Sequence, residues 1–208
     1  MTAVVRAWRL LGAALIVAAL AANIVKHLRL GDYAFFDTLG YFSHQTNILA
    51  AALLLIMLPR TGQPRPAWLE YARASVAMYL VIVTVVFWTL LGGFEPDDPY
   101  RWSTVTMHGA SCLLLLVDWF VEGPRTEHPI RHVWTVLLYP VVWVSVALIR
   151  GATDGWVPYP FMDPADGYAP VAAVVGGIVV IGVAIVAVLF RLTRWRVVTP
   201  EIAPAPRP

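Results

Sequence analysis

The sequence predicts an all-α polytopic membrane protein, one bundle of six transmembrane helices with both termini in the cytoplasm. Three observations carry that prediction. Of 208 residues, 59% are apolar and only 13% are charged, where a soluble domain has about 45–50% and about 25%. Mean hydropathy is +0.69. Six apolar runs approach the roughly 20 residues that a spanning helix needs. Charge this sparse does not cover a water-soluble surface, which excludes soluble globular, disordered and nucleic-acid-binding classes. The spans fall at 7–25, 39–58, 74–91, 102–121, 133–149 and 171–190, inside a single domain of 1–208 that ends in a basic, Pro-rich cytoplasmic tail, 191–208.

The first span follows Arg6 and Arg9. It also reads as a secretory signal ending in ALAAN, and cleavage there would leave five spans and an outside terminus. Its full spanning length favours retention. With six spans, one side holds Arg6, Arg9, Arg60, Arg65, Arg73, Arg125, Arg131, Arg191, Arg194, Arg196 and Arg207, and the other only Lys26, Arg29, Arg101 and Arg150. Basic residues gather on the cytoplasmic side of short loops, so this asymmetry sets the orientation. Most acids (Asp32, Asp37, Glu95, Asp97, Asp98, Asp154, Asp163 and Asp166) then lie outside. The net charge of +2 is an insertion signal and implies no nucleic-acid partner. The lone Cys112 forms no intramolecular disulfide.

The second span opens with YFSHQTNILAA. Ser43, Thr46 and Asn47 are spaced i, i+3, i+4 on one helix face, with His44 about a third of a turn away. The third span starts beside Arg73, and the fourth carries Asp118 near its cytoplasmic end. A short loop makes these two helices neighbours, so Arg73 and Asp118 read as a structural ion pair, with a proton relay as the alternative. The fourth span enters from the outer side as RWSTVTMHGASC. That places His108 about 9 Å deep and Ser43 about 6 Å deep, a matched depth on two helices.

A hydroxyl beside an imidazole suits a nucleophile and its base. Gln45 and Asn47 are then candidate oxyanion donors. The structural reading of the same residues is interhelical hydrogen bonding. A weaker metal reading takes His27, His44 and His108 as three zinc ligands; the principal reading has no cofactor. After the fifth span, the loop RGATDGWVPYPFMDPADGY is either an aromatic-anchored turn or a lid over the Ser43/His108 mouth that admits acyl chains sideways from the bilayer. In the lid reading Trp156, Tyr159 and Asp163 face the substrate, and Asp163 orients a histidine. In the sixth span Gly176, Gly177 and Gly182 read as close-packing positions. Trp8, Tyr41, Trp88, Trp102, Trp119, Trp134 and Tyr168 read as an interfacial belt.

Three stretches, FSHQTNILAA at 42–51, MHGASCLLLLVDWF at 107–120 and YPVVWVSVALIRGATDGWVPYPFMD at 139–163, resemble the androgen-induced-gene family of six-span membrane proteins, in order and with similar spacing. The resemblance runs from the second span through the last loop. It implies a hydrolase of fatty-acid esters of hydroxy fatty acids with a membrane-embedded Thr nucleophile and a His. The histidine maps onto His108. The animal pattern sets Thr three residues ahead of an Asn or Asp, which here falls on His44. A one-residue shift brings Ser43 into register, as in bacterial members that read FTxQSN, and Thr46 is the alternative nucleophile. Membrane lipids or a lipid ester are the implied partners and the cell membrane the implied location. A non-catalytic lipid-binding protein or a transporter is the rival class, although no inverted repeat or paired broken helices favour transport.

Overall fold

The computed structural model describes residues 1–93, 97–123 and 128–192, and these are all helix, turn and loop without a strand. Arg125, Arg194, Arg196, Arg207 and Glu95, invoked above for orientation, lie outside the described residues, as does nearly all of the tail. Among the described residues five helices are long and apolar enough to cross a membrane: α1 (Thr2–Leu30), α4 (Ala67–Leu90), α5 (Arg101–Val121), α6 (Ile130–Thr153) and α7 (Tyr168–Arg191). Between α1 and α4 lie a short turn of helix, α2 (Phe35–Thr38), and a shorter apolar helix, α3 (Phe42–Met57).

The second expected span is therefore shorter than its apolar run. Sixteen helical residues reach about 24 Å, less than the roughly 30 Å of a hydrocarbon core. The cause is local. Gln45 Nε2 donates to the carbonyls of Leu39 and Gly40 at 3.0 and 3.4 Å, and Trp143 Nε1 donates to Gly40 O at 2.8 Å. Side chains thus satisfy the backbone of 39–41 in a non-helical path.

α4 is the central helix, two thirds buried in its most apolar stretch, whereas α6 and α7 are peripheral at 17% and 22%. α1 packs on α3, α4 on α3, α5 and α7, and α7 on the first turns of α6. The core is one cluster that runs from Ile16 through Leu54 and Leu80 to Val186. α1 stops at Gly31, whose left-handed φ of 76° lets its N–H return to His27 O.

α6 starts as 3₁₀ turns over Ile130–Leu137 before becoming α-helical. Pro140 lacks the N–H that would bond the carbonyl four residues back, at Val136. Tyr79 on α4 supplies the missing donor, its hydroxyl 2.6 Å from Val136 O. Tyr79→Phe should therefore destabilise the protein by about 1–3 kcal/mol, read as a lower melting temperature in detergent. Pro140→Ala in the same chain should recover most of that loss, because it restores the backbone donor.

The glycines of α7 divide. A Cβ on Gly182 would lie 3.1 Å from Met78 Sδ, so Gly182 is a close-packing position. A Cβ on Gly176 or Gly177 would meet nothing within 4 Å, which corrects the packing role expected of those two.

Candidate functional site

At one end of the bundle, the arginine end, the expected Arg73–Asp118 pair is present at 2.7 Å, and it belongs to a larger array. Arg9 joins Asp118 at 2.6 Å and Glu122 at 2.7 Å. Arg65 joins Glu122 at 2.8 Å and also Glu70, and Arg73 returns to Glu70 at 2.8 Å. The result is a closed ring of alternating charge, Arg9–Asp118–Arg73–Glu70–Arg65–Glu122, with every side chain at most 2% exposed. Among the described residues of the ring, three cations face three anions. Burial opposes ionisation of Glu122, but the Gly62 N–H and the Arg9 and Arg65 charges hold its carboxyl below the ordinary value. Trp119 is 2% exposed and lies under the Arg73 guanidinium at 5.4 Å, so it belongs to this array and not to an interfacial belt. The array locks α1, α4, α5 and the loop carrying Arg65, a structural task.

The opposite end, the serine end, holds a cavity with about 820 Å³ of atom-free space, counting the part open to the outside. Its wall is apolar apart from a few groups, among them Ser43, His108 and Tyr159. Of the two candidate nucleophiles only Ser43 borders it. Thr46 is fully buried and its hydroxyl donates to Ser43 O at 3.2 Å.

His108 sits in a widened π-helical turn of α5, Thr106–Ala110. Such a turn disturbs the regular i→i−4 bonding, and side chains attend the carbonyls around it. His108 Nδ1 is 2.9 Å from Thr104 O, Asn47 Nδ2 donates to Met107 O at 3.0 Å, and Trp88 Nε1 donates to His108 O at 3.0 Å. A carbonyl only accepts, so Nδ1 carries the proton and neutral His108 keeps its lone pair on Nε2. Phe87 stacks on the ring with centroids 3.9 Å apart and planes 20° from parallel.

The loop after α6 walls the cavity through Tyr159, Phe161 and Met162. The Tyr159 hydroxyl accepts from the Ser43 N–H at 3.4 Å and lies against the Ser43 side chain. Burial pushes the Tyr159 phenol up to about 12, so it keeps its proton at neutral pH.

Other expected roles change. Asn47 Nδ2 is shared between Ser43 O and Met107 O, and Gln45 Nε2 between Leu39 O and Gly40 O, with Gln45 Oε1 accepting from Tyr139. Both amides lack a free donor for an oxyanion and act as structural ties. Asp163 is exposed and its carboxylate accepts from Ala165 N–H at 3.0 Å, so it orients no histidine. Trp156 lines a different recess near Arg150, whose guanidinium stacks on it at 4.4 Å. The three histidines of the metal reading have separate partners: His27 pairs with Asp32, His44 Nε2 with Asn23 Oδ1, and His108 with Thr104. Among the described residues no group of three or more His, Cys, Asp or Glu is placed to hold a metal ion.

Sequence reasoning missed Phe87, and it placed Trp88 in an interfacial belt without its bond to His108 O. The Phe87-Trp88 pair near the end of α4 carried no polar signal. No family model, curated protein or solved structure matches this chain.

Proposed function

We propose that this integral membrane protein is a six-span hydrolase of fatty-acid esters, with both termini cytoplasmic and its site in the outer half of the cell membrane. The reading takes α3, though short, as the second span. It is the function implied by the resemblance to the androgen-induced-gene family, with a serine in the place of the animal threonine. The observation that carries it is that Ser43 and His108 border the same apolar cavity, with the His108 lone pair left on Nε2.

The chemistry follows from these groups. Ser43 Oγ attacks the ester carbonyl while His108 Nε2 takes its proton. Negative charge gathers on the carbonyl oxygen, and the Tyr159 phenol, protonated and beside Ser43, donates to it. Collapse expels the alcohol, which leaves with the proton from His108, and the acyl group stays on Ser43. Water then attacks with His108 as base, the acyl–serine bond breaks, and the acid departs as Ser43 regains its proton. No hydrogen bond joins Ser43 to His108 in the free protein, so the proton transfer requires Ser43 Oγ and His108 Nε2 to close to hydrogen-bond distance when the ester binds beside them.

The test is labelling of the detergent-purified chain with a fluorophosphonate. Wild type and Thr46→Val should label alike, and Ser43→Ala should not label. An unlabelled wild type, or a Ser43→Ala variant that labels like wild type, would sink the proposal.

A further inference from the structure

The cavity is long in one direction. Tyr159 and Met162 belong to the loop at the serine end, and His108 lies seven residues into α5, about 10 Å along it. Met78 and Gly182, also in the wall, lie twelve residues back from Leu90 and fourteen on from Tyr168, about 18 and 21 Å from the same end. The space therefore runs roughly 10 Å past His108 between aliphatic and aromatic side chains and meets no charged group. One flank is loose. α6 packs on α7 through its first turns, Ile130–Leu137, and draws away beyond them, where Trp143 and Val179 wall the cavity from either side.

We propose that the contact between Met78 and Gly182 is the floor that sets the length of acyl chain the cavity accepts. This rests on the hydrolase reading for which end the carbonyl occupies. The occupant is a single unbranched acyl chain, because no charged side chain lines the cavity and the polar one beside the floor, Tyr79, has its hydroxyl bound to Val136 O. Its carbonyl lies at Ser43 and its terminal methyl against Met78, and it slides in from the surrounding lipid between α6 and α7. Gly182 permits the floor: without a Cβ it lets α7 close on the Met78 thioether, with Sδ 3.1 Å and Cε 3.7 Å from where that Cβ would stand. Methionine is unbranched and adaptable, so the floor yields to chains near the limit and stops longer ones.

Two readouts on the full chain in micelles test this. The first is kcat/KM for p-nitrophenyl acetate, octanoate and palmitate. Gly182→Leu, or Met78→Phe should the leucine disturb folding, should lower the palmitate value at least about tenfold and leave acetate within about twofold, and Met78→Ala should favour longer chains. Equal losses on all three esters, or no change on any, overturn the proposal. The second readout needs no hydrolysis: a fatty acid with a diazirine at its methyl end should crosslink to the peptide bearing Met78. Crosslinking there in a chain that hydrolyses nothing supports the slot while the hydrolase reading fails. Hydrolysis with crosslinks only at other peptides refutes the floor while that reading stands.

Discussion

Arg9→Met should destabilise the protein by about 3–5 kcal/mol, whereas Arg6→Met, three residues away and exposed, should change stability by less than about 0.5 kcal/mol. Arg9 is fully buried and neutralises Asp118 and Glu122 together, and it also donates to Met57 O at 3.2 Å and Thr61 Oγ1 at 2.7 Å. Removing it leaves the ring with two cations facing three anions, buried where bulk solvent screens the excess little. For a chain of this size the loss corresponds to a fall in melting temperature of about 6–20 °C. A second substitution separates charge balance from lost packing. Arg9→Met with Asp118→Asn leaves Arg73, Glu70, Arg65 and Glu122 as a neutral chain, so the double variant should lose clearly less than the two single losses added together. Equal melting temperatures for Arg6→Met and Arg9→Met would mean that Arg9 serves only to orient the chain.

That comparison also marks how far the sequence was legible. Composition and the lengths of the apolar runs reach the all-helical class and the five long helices, because spanning lipid leaves a chain few other structures. The Arg73–Asp118 pair was legible because a short loop makes their helices neighbours. The other members of the ring were not: Arg9 and Asp118 are 109 residues apart, and nothing local in either segment says which helices touch. Positive charge near a span end reads the same whether it faces a headgroup or a carboxylate. At the serine end the hydroxyl and the imidazole stand out as polar exceptions in apolar helices. The attending groups do not, because Asn47, Gln45 and Trp88 are engaged by backbone carbonyls that only the π-helical turn and the irregular 39–41 segment make available. The opposite error, reading Gly176 and Gly177 as packed, has the same root: a small residue marks where a neighbour could come close, and only the helix arrangement decides whether one does.

At the serine end the larger effect is on rate. His108→Asn should lower the rate of ester hydrolysis by about 10²–10⁴-fold, the usual worth of a general base, while leaving the melting temperature close to that of wild type. The substitution is chosen for its geometry. An asparagine amide nitrogen stands near the position of Nδ1 and can still donate to Thr104 O, so the π-helical turn keeps its side-chain donor. What disappears is Nε2, the atom that would take the proton from Ser43. KM should move little, since binding is carried by the apolar wall. Phe87→Leu makes the complementary change: it removes the ring stacked on His108 but leaves both nitrogens, so it should cost far less in kcat than His108→Asn. Fluorophosphonate labelling follows the same order, because that reagent also needs a deprotonated Ser43. A His108→Asn variant that labels and hydrolyses within about tenfold of wild type would remove His108 from the chemistry, since a base worth only that factor falls below the range for such a group.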